Sequence, residues 1–114
     1  MNGRQVYVSI TGLRLKGPHH MPRFMMHAIR SMNQAQRAPG NLRAETRSIN
    51  SVHHTLSVWE NEAAMRTYLT AGAHRRAMKA FRVMATGKVL GFATDRVPDW
   101  AEVHELWRTK GREV

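Results

Sequence analysis

The sequence predicts one α+β domain: an antiparallel sheet packed against helices in the order β-α-β-β-α-β, with one more helix at the end. Three observations carry this. Several segments alternate apolar and polar residues, as half-buried strands do. Between them lie apolar stripes at helical spacing. The 114 residues suffice for one modest core and no more.

The first strand is "QVYVSITGLRL" (5–15), with Val6, Val8 and Ile10 on one face and Tyr7, Ser9 and Thr11 on the other. "KGPHH" is a turn. Met21, Phe24, Met25, Ala28, Ile29 and Met32 then mark one face of a helix, with Pro22 tolerated in its first turn, and "RAPGN" (37–41) ends it. "LRAETRSIN" (42–50) and "VHHTLSVW" (52–59) form a hairpin through Asn50 and Ser51. Asn61 caps the next helix, Glu62 favours its N-terminal dipole, and Met65, Tyr68 and Leu69 give its apolar side. Gly72 breaks or bends that helix. The following one turns Ala77, Met78 and Phe81 inward and Arg75, Lys79 and Arg82 outward. "GKVLGFATDR" (87–96) is the last strand. "DWAEVHELWRTKG" is a short helix with Trp100, Val103, His104 and Trp107 on one side.

This order specifies a ferredoxin-like sandwich, a four-stranded sheet with helices on one face. The helix-facing side is expected to hold Val6, Val8, Ile10, Leu56, Val58 and Val89. The other side would carry Tyr7, Ser9, Thr11, His53, Thr55, Ser57, Trp59, Leu90 and Phe92. One helix layer cannot cover both. A second copy of the same sheet is the simplest lid for the open, ring-bearing face, so a homodimer is expected.

Composition narrows the function. The chain is 42% apolar and 23% charged, as globular chains are. It has no cysteine, which removes disulfides, thiolate metal sites and cysteine nucleophiles. No G-x-S-x-G is present, and no paired carboxylates fall in the expected pocket. No apolar run reaches the about 18 residues that a membrane span needs, and "MNGRQVYVSI" lacks the blocks of a leader. A cytoplasmic protein without a membrane partner is the expectation. The net charge of +10 attracts anions, but its basic residues are scattered rather than blocked. The βαββαβ order is also that of RNA-recognition modules. Tyr7, His53 and Trp59 do not make their aromatic run, so nucleic acid is not the expected partner.

Two histidines stand out. His54 is on the apolar side of its strand, and His74 is one turn from Met78 on an inner helix face. A neutral imidazole can take a proton from a phenol or quinol near neutral pH. The competing reading is an ordinary hydrogen-bonded core histidine. Adjacent His53 and His54 point to opposite faces and cannot share an ion, and His19, His20 and His27 lack nearby carboxylates, so no metal site is expected. Trp59 and Tyr68 either line a flat aromatic cavity or plug the end of the sheet. The methionines, Met25 and Met78 among them, fill the core or give an adaptable pocket wall.

The stretch "LSVWENEAAMRTYLTAGAHRRAMKAF" resembles the antibiotic-biosynthesis-monooxygenase-like, dimeric α/β-barrel proteins. Trp59, Glu60, Tyr68, Gly72 and His74 stand at the places of their pattern, and "VPDWAEVHELWRTKG" looks like the tail of an uncharacterised branch. The resemblance covers roughly residues 5–110. It implies a dimeric barrel and a monooxygenase-like protein that holds a small hydrophobic, aromatic or polyketide-like compound. His74 and His54 would be its proton acceptors, and Trp59, Tyr68, Met78 and Met25 its substrate contacts. Cofactor-free oxidation is implied. Haem is disfavoured, because Tyr68 and Met78 occupy the places of the tryptophan and the ligating histidine of haem-degrading members. Ile10 or Thr11 occupies that of their asparagine, and only His74 could substitute as an axial ligand. A non-catalytic dimeric binding module and an RNA-binding domain are the alternatives.

Overall fold

The computed structural model describes residues 5–114; the first four residues, part of the opening segment read above as no leader, lie outside it. The order is β1 (Val6–Leu15), a 3₁₀ turn (Pro18–His20), α1 (Met21–Arg37), β2 (Asn41–Ile49) and β3 (Val52–Trp59). Then follow α2 (Glu62–Leu69), α3 (Gly72–Met84), β4 (Ala85–Thr94), α4 (Trp100–Lys110) and β5 (Arg112–Glu113). The strands pair antiparallel in the order β2-β3-β1-β4-β5. β5 was not expected; its two residues pair with Lys88 and Val89 at the sheet edge.

Local chemistry explains the joints. Asn50 and Ser51 both take positive φ, 51° and 65°, the backbone of a tight turn that matches strand twist. The Asn61 side chain accepts from the Ala64 N–H at 2.8 Å and starts α2. Asp99 and Glu102 form a reciprocal capping box on α4. The break between α2 and α3 falls at Thr70 and Ala71, and Gly72 is the first residue of α3 rather than the break itself.

The helices reverse the expected use of the sheet. α1, α2 and α3 cover the face of Tyr7, Ser9, Thr11, Thr55, Ser57 and Trp59, which was expected to lie open. Val8, Ile10, Leu56 and Val58 face the other way and are sealed by Val103 and Trp107 of α4. Register corrects two further placements: Leu90 lies opposite Ile10 and Phe92 opposite Val8, so both belong to the apolar face, while Val89 lies opposite Thr11 on the polar one. The inward stripe of α1 is also turned from the expected one. Phe24, Ser31 and Ala35 are buried, whereas Met21, Met25 and Ile29 are exposed.

Three clusters hold the layers. Val8, Ile10, Val52 and Leu56, all fully buried, pack beneath α4, each stabilising the fold by about 1.5–3 kcal/mol. On the other face, Leu13, Phe24, Ala80 and Met84 join one end of the helix layer to the sheet. Ala35, Ala44, Trp59, Met65 and Tyr68 join the other end.

Gly12 decides whether α4 can dock. A β-carbon there would stand 2.4 Å from the Trp107 indole, whose Nε1 donates to the Lys88 carbonyl at 2.9 Å. Gly12→Ala is therefore expected to cost about 1–3 kcal/mol by overpacking. Gly72→Ala, whose new methyl meets only the Arg76 guanidinium at 3.4 Å, should stay within about 0.5 kcal/mol. Urea midpoints measure both, and an unchanged midpoint for Gly12→Ala would contradict this seating of α4.

Candidate functional site

Between the two clusters of the helix side lies a cavity of about 580 Å³, a volume suited to a small organic molecule. Its floor is a row of hydroxyls set by strand alternation: Tyr7, Ser9 and Thr11 from β1, Thr55 and Ser57 from β3. Ser31 and Met32 of α1, Met65 and Tyr68 of α2, and His74, Met78 and Phe81 of α3 form the roof. Glu62, Arg66, Lys110 and Arg112 stand on its border, with Arg66 paired to Glu62 at 2.7 Å. Tyr68 also borders a second depression of about 560 Å³ between α1 and α2.

Three side chains close a triangle in the cavity wall. Ser31 Oγ is 2.7 Å from the Tyr68 hydroxyl and 3.1 Å from His74 Nδ1, and the last two are 3.0 Å apart. The Tyr68 hydroxyl also donates to the Ser31 carbonyl at 3.0 Å. Burial lowers the His74 imidazole from its ordinary value to about 4. It raises the Tyr68 phenol, which the Ser31 hydrogen bond partly offsets. Both rings are thus neutral near pH 7, and the hydroxyls can rotate to offer Nδ1 either a donor or an acceptor. Tyr68 is held by stacking on Trp59 at 5.1 Å, and Trp59 Nε1 donates to Ser57 Oγ at 3.0 Å.

The two singled-out histidines do not share a pocket, contrary to the sequence expectation. His54 lies across the sheet from His74, under α4, and is 1% exposed. Its Nδ1 is 3.3 Å from the Thr11 carbonyl and its Nε2 is 2.8 Å from His104 Nδ1. A carbonyl only accepts, so Nδ1 carries the proton, and neutral His54 accepts from His104 Nδ1–H. The Trp107 ring meets it edge-on at 4.9 Å. Burial is the first cause that lowers its basicity.

Of the expected contacts, Tyr68 and Met78 line the cavity. Trp59 is fully buried behind Tyr68 and supports the wall without forming its surface. Met25 points out of the helix layer, 42% exposed, and does not line the cavity. His53 faces the helix side, 5.0 Å from the Phe24 ring and 2.9 Å from Ser48 Oγ. Sequence reasoning missed Ser31, the hydroxyl floor as a floor, and His104. The available signal was Ser31 itself, a polar residue seven positions after Phe24 on one helix face. Among the described residues, no three His, Asp or Glu side chains converge as a metal site.

An antiparallel sheet roofed on its polar face by three helices, with a closed polar triangle in the cavity wall, defines a ferredoxin-like α+β domain with a cavity between sheet and helices. Solved structures that share this fold include proteins named as antibiotic biosynthesis monooxygenases. One structure with the fold is SnoaB, a cofactor-independent oxygenase from Streptomyces nogalater, at TM-score 0.69 and 18% identity over 82% of this chain and 96% of SnoaB. Another is an antibiotic biosynthesis monooxygenase, at TM-score 0.65 and 11% identity over 80% of this chain and 99% of the other. Protein SO0527 from Shewanella oneidensis matches at TM-score 0.70 and 12% identity over 80% and 92%. The likeness is one of fold. No family model and no curated protein matches the sequence.

The buried imidazoles make stability depend on pH. Folding holds His74 and His54 below their ordinary basicity. Below about pH 6.5 the unfolded chain takes up protons that the folded chain refuses, so stability falls as pH drops. The share of His74 amounts to about 3 kcal/mol or less and levels off below about pH 4. His74→Gln should flatten the fall in urea midpoint between neutral pH and pH 4. Equal slopes for variant and parent would show that His74 is not held neutral.

Proposed function

We propose that the protein is a cofactor-independent monooxygenase that oxidises an electron-rich aromatic, polyketide-like compound in the cavity. The observation that carries this reading is the His74 imidazole, held neutral in a cavity wall beside two hydroxyls. The hydroxyl floor offers donors and acceptors to a substrate bearing phenol and carbonyl oxygens, while Met78, Met65 and Phe81 contact its flat face.

In this reading His74 takes a proton from an acidified methylene of the substrate. Its low basicity in the empty cavity is offset once a substrate anion lies beside the imidazolium, and Ser31 or Tyr68 turns to accept from Nδ1–H. The substrate carbanion gives an electron to O₂, and the radical pair closes a C–O bond. The resulting peroxide anion takes the proton back from His74 and becomes a hydroperoxide. The hydroperoxide then loses the remaining C–H proton of that carbon together with hydroxide as the O–O bond breaks, giving water and a ketone. One O₂ is consumed and one water released per turnover. Exclusion of bulk water keeps the charges strong and the carbanion unquenched. The likeness to SnoaB, named as a cofactor-independent oxygenase, supports the class of reaction.

Oxygen uptake with a panel of anthrones, whose methylene lies between two aromatic rings, tests this. His74→Ala is expected to lower the rate by about 10²–10⁴-fold, whereas His54→Gln, on the far side of the sheet, should change it little. If the parent consumes no oxygen with any of the panel, yet a panel compound raises its melting temperature, the domain binds without catalysis and the oxygenase reading fails. We also propose a homodimer, because Val6, Leu90 and Phe92 remain only partly buried beside α4. A stable species of 13.0 kDa in sedimentation equilibrium at micromolar concentration would refute it.

A further inference from the structure

The eight carboxylate side chains are unevenly placed: none falls in residues 1–44 or 63–94. Those two stretches contain α1 and α3, which lie side by side through Phe24, His27 and Phe81, with ring distances of 5.2 and 6.3 Å to Phe81. Exposed on this pair are Arg23, Arg30 and Arg37 of α1, the last two also bordering the depression between α1 and α2, and Arg75, Lys79 and Arg82 of α3. The ion pairs of the described residues use Arg43, Arg66, Arg96 and Arg108, and so leave these six without a carboxylate partner.

Uncovered apolar side chains stand on the same two helices. Met25 and Ile29 stand one turn apart, 42% and 55% exposed, in a row beside the arginines, with Met26 at 41% between the rows. Val83 of α3 is 63% exposed. Cations and aliphatic side chains side by side on one helix layer have the composition of a surface that rests on anionic lipid, where lysine and arginine meet the headgroup charge and apolar groups sink to the acyl boundary. A nucleic acid would meet the cations but leave Met25, Ile29 and Val83 in water, and no exposed phenylalanine, tyrosine or tryptophan stands among them to stack on a base. No helix among the described residues is long and apolar enough to cross a membrane, so the contact would be peripheral.

We propose that the outward face of α1 and α3 docks the protein on anionic membrane surfaces. This does not depend on the activity proposed for the cavity. The test is co-sedimentation with sucrose-loaded vesicles of phosphatidylcholine alone or mixed with phosphatidylglycerol, at low and high salt. The parent should pellet with the mixed vesicles only, and less at high salt. Lys79→Glu with Arg82→Glu should cut partitioning roughly tenfold or more. Met26→Gln with Ile29→Gln should weaken it several-fold, and circular dichroism confirms that both variants are folded. Failure of the parent to pellet with mixed vesicles at low salt overturns the proposal. So does an apolar variant that pellets like the parent while the charge variant does not, because the face is then a plain polyanion attractor.

Discussion

The rest of the molecule depends on the contact between Trp107 and Gly12. With no side chain on Gly12, the indole lies directly on β1, and its N–H crosses to the carbonyl of Lys88, the residue paired with Gly12. This fixes α4 over Val8, Ile10, Leu56 and Val58, where much of the apolar burial occurs. Because the centre of that face is covered within the chain, the opposite face of the sheet need not be greasy. The helix layer above it is held at its two ends, by Phe24 and Met84 on Leu13 and by Tyr68 and Met65 on Trp59. The space between those anchors has hydroxyls on its strand side and Met32, Met65, Met78 and Phe81 on its helix side.

Two buried histidines sit in this frame with opposite consequences. His54 and His104 satisfy each other beneath α4, with Trp107 against the first ring and stacked on the second. His74 is satisfied too, by Ser31 and Tyr68, but its surroundings include an open cavity. The imidazoles share a chemistry and a direction of shift, so neither hydrogen bonding nor basicity separates a structural histidine from a reactive one. Access does. A satisfied polar group in a low-dielectric wall is inexpensive to hold in place. It becomes reactive only where a ligand can approach it.

Strand alternation made much of the architecture legible. It grouped Val6 with Val8 and Ile10, and Asn50–Ser51 marked the hairpin turn correctly. It did not say which face the three helices would cover. Matching the greasier face to the larger helix layer is the economical choice for a pure core, and this domain inverts it: the smaller element, α4, takes the apolar face. The same bias misread α1. Met21, Met25 and Ile29 looked like its core stripe because they are apolar, yet Phe24, Ser31 and Ala35 point inward. Ser31 is a serine where the best packing would place an aliphatic residue. The sequence therefore hid the site at the positions where packing and pocket have different requirements.

The charge distribution fits this division of labour. The carboxylates near α2 and α4 have structural tasks: Asp99 and Glu102 cap α4 reciprocally, and Glu62, Glu102 and Glu105 pair with Arg66, Arg96 and Arg108. α1 and α3 have no acidic residue in their first turns and no side-chain cap. Arg75 and Lys79 stand one turn apart on α3. Such a like pair disfavours a helix by a few tenths of a kcal/mol. Both helices are held instead by Phe24, Ala80 and Met84 against the sheet, contacts that a glutamate on the outer face would leave untouched. Folding does not require the acid-free surface and is slightly opposed by it.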